Sequence, residues 1–127
     1  MNPIVDIIIR IKNAYLTRNE SVVSPYSKYR VSVLEKLKKL GYISDFSVSG
    51  DVKKTIYIQL KYTDGVPALT DVKIYSTSGN REYISYKDVK SVMSGMGYSI
   101  ISTSHGILTN RELKKMKLGG ELLFAIW

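Results

Sequence analysis

The stretch Ile100-Ile101-Ser102-Thr103-Ser104-His105-Gly106, followed by Ile107 to Leu118 and then by Gly119-Gly120-Glu121-Leu122-Leu123-Phe124-Ala125-Ile126-Trp127, decides how this chain is read. Ile100 and Ile101 continue a short strand that must be buried, and the run from Leu122 to Trp127 is a second one. Between them lies a basic helix, with Thr109 and Glu112 at capping-box spacing ahead of Leu113 and Met116. Gly119-Gly120-Glu121 reads as a turn that opens the last strand. The stretch therefore describes a polar edge on an apolar platform.

Ser102, Thr103 and Ser104 carry donors and acceptors too short to stray from the backbone that holds them. Such hydroxyls suit the 2′-OH, phosphate and base-edge groups of RNA. Gly119 and Gly120 lack a β-carbon and allow a partner's backbone to approach, while Glu121 adds an acceptor for exocyclic amino groups. The same residues also describe a turn satisfied by its own side chains, with Gly119-Gly120 as a helix C-cap. Ser/Thr/Gly clusters mark loops more often than sites, so residue types alone favour the turn.

Working outward, 127 residues with 44% hydrophobic content suffice for one modest core or two small ones. Lys and Arg number 19 against 11 Asp and Glu, a net charge of +8 that favours phosphate-rich or anionic-membrane partners. No apolar run approaches the roughly 20 residues of a bilayer span, so a membrane partner is not expected. The absence of cysteine excludes disulfides and thiolate metal sites, and a single histidine cannot furnish a zinc site, so no metal or cofactor is expected. The N-terminus enters helical periodicity without a signal or transit segment, as expected of a cytoplasmic bacterial protein or an organelle-encoded one.

Enzyme chemistry finds little footing. His105 beside Ser104 is sequence adjacency, not a triad. Gly95-Met96-Gly97 is half of a dinucleotide motif, but Ile100 takes the third glycine's place, and no P-loop pattern occurs. Ten tyrosines and two phenylalanines among basic residues suit base stacking, though most tyrosines serve as half-buried structural residues. Tyr83, beside the Gly79-Asn80-Arg81 turn, is the one placed for more.

Ile4, Ile7, Ile8, Ile11 and Tyr15 predict a helix over residues 3–17, with Asn2 as N-cap and Pro3 in the first turn. Residues 24–30 form an extended basic connector, because Pro25 biases its predecessor away from helix. Val33, Leu34, Leu37 and Leu40 mark a second helix that ends in Lys38, Lys39 and Gly41. Strands follow over residues 42–49 and 55–62, then strands at Val72 to Ile74 and at Tyr83 and Ile84. Ser85 with Asp88 resembles a capping box for a short helix through Val89, Val92, Met93 and Met96, and Tyr98 to Ser102 is another strand. The expected fold is α+β, with two small α/β domains. The first, residues 1–63, is an N-terminal α-β-α-β-β unit. A linker at 64–70 leads to the second, residues 71–127, a C-terminal mostly β domain with two short helices.

Several motifs in order resemble one family, the bacterial-type small-subunit ribosomal protein S-eight family, along essentially the whole chain. Asn2-Pro3-Ile4-Val5-Asp6 with Arg10-Ile11-Lys12-Asn13-Ala14 is similar to its first helix, Pro25-Tyr26-Ser27-Lys28-Tyr29-Arg30 to its basic connector, and Gly41-Tyr42-Ile43 to its helix exit. Ser102-Thr103-Ser104-x-Gly106 and Gly119-Gly120-Glu121 stand at family spacing. The resemblance implies two α/β domains and binding to the central domain of small-subunit ribosomal RNA, early in assembly and beside neighbouring small-subunit ribosomal proteins. Some members also repress translation of their own messenger RNA. By matching position, the implied RNA contacts are Ser102, Thr103, Ser104, Gly119, Gly120, Glu121, Tyr83 and Arg81, with Lys12, Asn13, Ser27, Lys28 and Arg30 a weaker N-terminal set.

The chain departs from the family pattern in three places. Ser76-Thr77-Ser78-Gly79 lacks the basic residue and the proline common in this loop, His105 stands where lysine is frequent, and Lys90 stands where proline often does. The expected function is a non-enzymatic RNA-binding constituent of the small ribosomal subunit. The alternatives are a general basic RNA-binding adaptor outside the ribosome and a small serine-dependent enzyme using Ser104 and His105.

Overall fold

Ile4, Ile7, Ile8, Ile11, Ala14 and Tyr15 fall on one stripe of α1 (Pro3–Leu16) and are all buried, which is why an isoleucine-rich segment becomes a helix instead of a strand. The structure, a computed structural model, describes residues 3–127, so the N-cap expected at Asn2 lies outside the described residues. Contacts divide the chain into two units, with the boundary in the chain between Leu69 and Thr70.

In the first unit α1 leads to β1 (Ser21–Pro25), α2 (Lys28–Leu40), β2 (Asp45–Ser49) and β3 (Thr55–Gln59). The three strands make an antiparallel sheet in the order β1-β3-β2. Ile56 and Ile58 of β3 are buried while Tyr57 and Gln59 are exposed, the alternation of a sheet with one face on the core. The connector expected over residues 24–30 is shorter than its composition suggests. Ser27 is extended and its hydroxyl accepts from the Arg30 amide at 3.1 Å, so α2 begins a turn before its first apolar position. Pro25 sits at the end of an edge strand, where a missing N–H costs little. Gly41 ends α2 in the left-handed region at φ 89°, as its lysine-rich last turn foretells. Lys38 in that turn reaches Asp45 at 2.9 Å, and this hydrogen bond holds the Asp45 carboxyl below the usual carboxylate range.

The segment expected as a linker carries a hairpin, β4 (Tyr62–Thr63) and β5 (Val66–Pro67). Asp64 and Gly65 both have positive φ, the backbone of a primed two-residue turn for which Asp-Gly is a strong signal. Tyr15 ties this end of the unit together. Its buried hydroxyl donates to the Tyr42 carbonyl at 2.6 Å and accepts from the Lys61 amide at 2.9 Å, and its ring meets Tyr62 edge-on.

The second unit contains β6 (Val72–Ile74), β7 (Tyr83–Ser85), a 3₁₀ turn at Met93–Gly95, β8 (Tyr98–Thr103), β9 (Gly106–Thr109), α3 (Asn110–Met116) and β10 (Gly119–Ile126). The sheet runs β6-β10-β8-β9, and β7 also pairs with β10. Thus β10 is bonded along both edges, to β8 on one side and to β7 and then β6 on the other. Ile101, Leu108, Leu113, Leu122 and Val89 form the core beneath it.

The second unit departs from the sequence reading in three places. Gly119 and Gly120 are strand residues of β10, and the C-cap of α3 is Lys117 in the left-handed region. A β-carbon on Gly120 would run into the Ser102 carbonyl oxygen and come within 2.9 Å of Thr103 Cγ2, so this glycine serves the approach of β8. Gly106–Thr109 pairs back on β8 as a strand that the periodicity did not announce, and α3 then opens at Asn110 behind the Thr109/Glu112 capping box, as expected. Residues 85–96 make no α-helix. Pairing with Gly119 claims Ser85 for the sheet, and Asn110 Nδ2 donates to the Lys90 carbonyl, which is therefore not turned down a helix axis. Val89 fills the core from the irregular segment that follows the turn at 86–88 instead.

Tyr15→Phe strands a buried carbonyl and a partly buried amide, and chemical denaturation should show a loss of about 1–3 kcal/mol. Burial pushes the Tyr15 phenol up, so the folded state holds this proton more tightly than the unfolded chain does. Its contribution is therefore complete below the ordinary tyrosine value of about 10 and is lost as pH rises through the folded value, so Tyr15→Phe should blunt alkaline unfolding. Gly120→Ala should cost about 1–3 kcal/mol through overpacking against β8, read as a lowered Tm.

Candidate nucleic-acid interface

Directly opposed residues in an antiparallel sheet share a face, so the register of the second unit assigns its two faces. Ile101 and Leu108 stand opposite each other, Ile101 also faces Leu122, and all three enter the core. The adjacent row is Tyr83 on β7, Glu121 on β10, Ser102 on β8 and Ile107 on β9. Alternation turns this row to the other face. Residues 38 positions apart in the chain thus become strand neighbours because β10 has a partner on each side.

The side chains of the row differ in how far they are already engaged. Tyr83 is 73% exposed. The Glu121 side chain is only 13% exposed, and Arg81 Nη1 approaches its two carboxylate oxygens at 3.3 and 3.4 Å. The Ser102 hydroxyl is half-buried and has no hydrogen-bond partner among the described residues. Thr103, one residue on, is committed elsewhere: its hydroxyl donates to the Gly106 carbonyl at 2.9 Å and accepts from the His105 amide at 3.0 Å, closing the β8–β9 turn. Ser104 lies in that turn, exposed, with Oγ 3.2 Å from His105 Nδ1. Along the β7–β10 edge a shallow cleft is lined by Tyr83, Ile84, Ser85, Asp88, Gly119 and Gly120.

The fold therefore brings Arg81, Tyr83, Ser102, Gly119, Gly120 and Glu121 onto one stretch of sheet, with Ser104 at the turn that ends β8. For Thr103 and Gly120 the structure shows an internal task. The row can stack an aromatic ring on a base, offer a neutral hydroxyl, and present a carboxylate as acceptor to amino or hydroxyl donors.

The N-terminal set belongs to the first unit and is more dispersed. Ser27 is spent as the α2 cap, and the Arg30 side chain is 11% exposed, held by Asp6 at 3.2 Å, Ser24 Oγ at 2.6 Å and the Pro25 carbonyl at 3.2 Å. Lys28 and Asn13 are exposed and Lys12 is half-buried. A groove in the same unit, without a motif in the sequence to mark it, is lined by Arg10, Val23, Tyr26, Lys53 and Lys54, and there Lys54 Nζ sits 5.1 Å from the centre of the Tyr26 ring. The paired lysines beside a turn were its only signal. The role of Ser76 likewise appears only once the loop that follows it has closed.

Among the described residues no group of three or more His, Cys, Asp or Glu is placed to hold a metal ion, and no helix is long and apolar enough to cross a membrane. The Ser104–His105 contact is exposed, and no carboxylate is bonded to the imidazole among the described residues.

The sequence profile of a family described as "Ribosomal protein S8" matches residues 2–127. The chain is 42% identical over 127 residues to the small ribosomal subunit protein uS8 of Spiroplasma kunkelii, covering 100% of this chain and 98% of that protein. It is 40% identical over 127 residues to uS8 of Dictyoglomus thermophilum, covering 99% and 97%. Against uS8 of Neisseria meningitidis serogroup C it is 43% identical over 125 residues, covering 98% and 96%. These relatives are ribosomal proteins, not enzymes. With the profile matching from residue 2 to residue 127, the chain belongs to the ribosomal protein S8 family.

Proposed function

We propose that this protein is a structural constituent of the small ribosomal subunit that binds the central domain of small-subunit ribosomal RNA through the sheet face of its second unit and so supports subunit assembly. The observation that carries this reading is the row Tyr83–Glu121–Ser102, which sets an exposed ring, a carboxylate and an unspent hydroxyl on the face opposite the core. Full-length family membership supplies the ribosomal context.

Recognition divides into a charge term and a shape term. The net charge of +8 attracts phosphates in a manner that weakens with salt and carries no sequence information. Ser102, Ser104 and Glu121 read a helix whose distorted minor groove exposes base edges and 2′-OH groups, with Tyr83 stacked on an unpaired base. Thr103 contributes by fixing the turn that presents Ser104, and Gly119 by leaving the cleft open beside Tyr83. Lys12, Asn13 and Lys28 add a weaker, mainly electrostatic contact, and Ser27 and Arg30 support it by shaping the start of α2. Neighbouring ribosomal proteins of the small subunit are the other partners. A messenger RNA of its own would be repressed through the same row, so it would compete with ribosomal RNA for one site.

Filter binding to a central-domain RNA fragment tests the assignment. Ser102→Ala, Ser104→Ala and Glu121→Ala should each weaken binding by about 1–3 kcal/mol at matched salt, since each leaves an RNA group unpaired. Lys28→Ala should lower the slope of log affinity against log salt by about one and leave discrimination between this fragment and regular duplex RNA intact. If Ser104→Ala and Glu121→Ala both bind like the parent, the RNA surface lies elsewhere. Equal binding of the parent to any duplex RNA would instead favour a general basic adaptor.

A further inference from the structure

We infer that Arg81 is a positioning residue that acts through Glu121, setting the carboxylate for selective RNA recognition, and is not itself one of the phosphate-binding cations. The inference rests on the proposal that the Tyr83–Glu121–Ser102 row is the RNA surface.

A carboxylate is an awkward group on such a surface, because every phosphate that comes near repels it. Glu121 is useful as an acceptor only if its charge is offset and its oxygens are held still. The geometry provides both. Arg81 Nη1 lies 3.3 Å from one oxygen and 3.4 Å from the other, so a single nitrogen spans the carboxylate. Each carboxylate oxygen has two lone-pair directions, so this contact leaves acceptor sites open for a donor on RNA. The Glu121 side chain is 13% exposed against 55% for Arg81: the acid is packed into the row and the base covers it from outside.

The guanidinium is placed by a built loop, not a free one. Ser76 is buried, and its hydroxyl accepts from the Glu82 amide at 2.9 Å and donates to the Glu82 carbonyl at 3.3 Å. Thr77 and Asn80 exchange backbone bonds at 3.0 and 3.3 Å, which closes the tip. Tyr75 and Ser76 amides reach the Leu123 carbonyl, and the Leu122 amide reaches the Glu82 carbonyl, so both ends of the loop are fastened to β10. Arg81 therefore leaves a backbone whose two ends are fixed to the strand that carries Glu121. Residues 76–82 contain no proline, and the Ser76 clamp is what restrains their backbone.

The two roles available to Arg81 leave different marks. A phosphate contact contributes about one unit to the slope of log affinity against log salt and acts independently of Glu121. A positioning residue contributes nothing to that slope and has no effect once Glu121 is gone.

The test is a double-mutant cycle by filter binding across a salt series, on a central-domain RNA fragment and on a regular duplex of equal length. Arg81→Ala should weaken binding to the fragment about tenfold, the loss expected for a charge-assisted hydrogen bond, with an unchanged salt slope and little change on the duplex. In the Glu121→Ala background, Arg81→Ala should add nothing. If its effect instead persists in that background and the slope falls by about one, Arg81 is a phosphate contact and the inference is overturned, while the RNA surface stands. If Glu121→Ala alone binds like the parent, the reading of the row itself fails, and this inference fails with it. Melting temperatures recorded for each variant separate a loss of binding from a loss of stability.

Discussion

Strand β10 must be bonded along both edges at once, and the second unit is arranged around that requirement. Its run Leu122 to Ile126 is buried, so every peptide group there needs a partner inside the protein. β8 satisfies one edge, and β7 and β6 share the other. The register against β8 shifts between Leu122 and Phe124, and near that irregularity β8 comes so close to Gly120 that no side chain fits. Because β10 is central, the residue that follows Gly120 has strand neighbours on both sides. Glu121 stands between Tyr83 and Ser102 for this reason alone.

The same constraint sorts hydroxyls that look equivalent in the sequence. Ser102 is in the ladder and faces away from the core, Thr103 is consumed by its own turn, and Ser104 is exposed at the turn's rim beside His105 Nδ1. Cations are sorted in a similar way. Arg30 and Arg10 both bind Asp6, Lys38 binds Asp45, and Arg81 covers Glu121. Net charge therefore measures long-range attraction to a polyanion and says little about which side chains touch it. In the proposed recognition, the specific reading of RNA is left to neutral hydroxyls, a ring and one compensated acid.

Much of the fold was legible because local physics dominated it. The isoleucine stripe of α1, the lysines and glycine that stop α2, the alternation of Ile56, Ile58 and Leu60, and the Thr109/Glu112 capping box all express propensities acting over a few residues. The misread places share another cause. Gly119-Gly120 has the composition of a turn but lies in a strand, Ser85 to Met96 has the spacing of a helix but is held by β10 and Asn110, and Asp64-Gly65 punctuates a hairpin where a linker was expected. In the first two, pairing with distant strands outweighed local preference.

Residue order alone specifies a basic α+β chain, the positions of most elements, the resemblance to the S8 family, and the residue types available for RNA. Tertiary pairing is what sets which of them share a face, that Thr103 and Gly120 have contacts within the fold, and that Arg81 and Glu121 form an ion pair. The physical reason is distance along the chain. Capping and periodicity act within a turn or two and leave their mark in order, whereas a cross-strand neighbour 38 or 40 residues away is set by register, which no short window of sequence records.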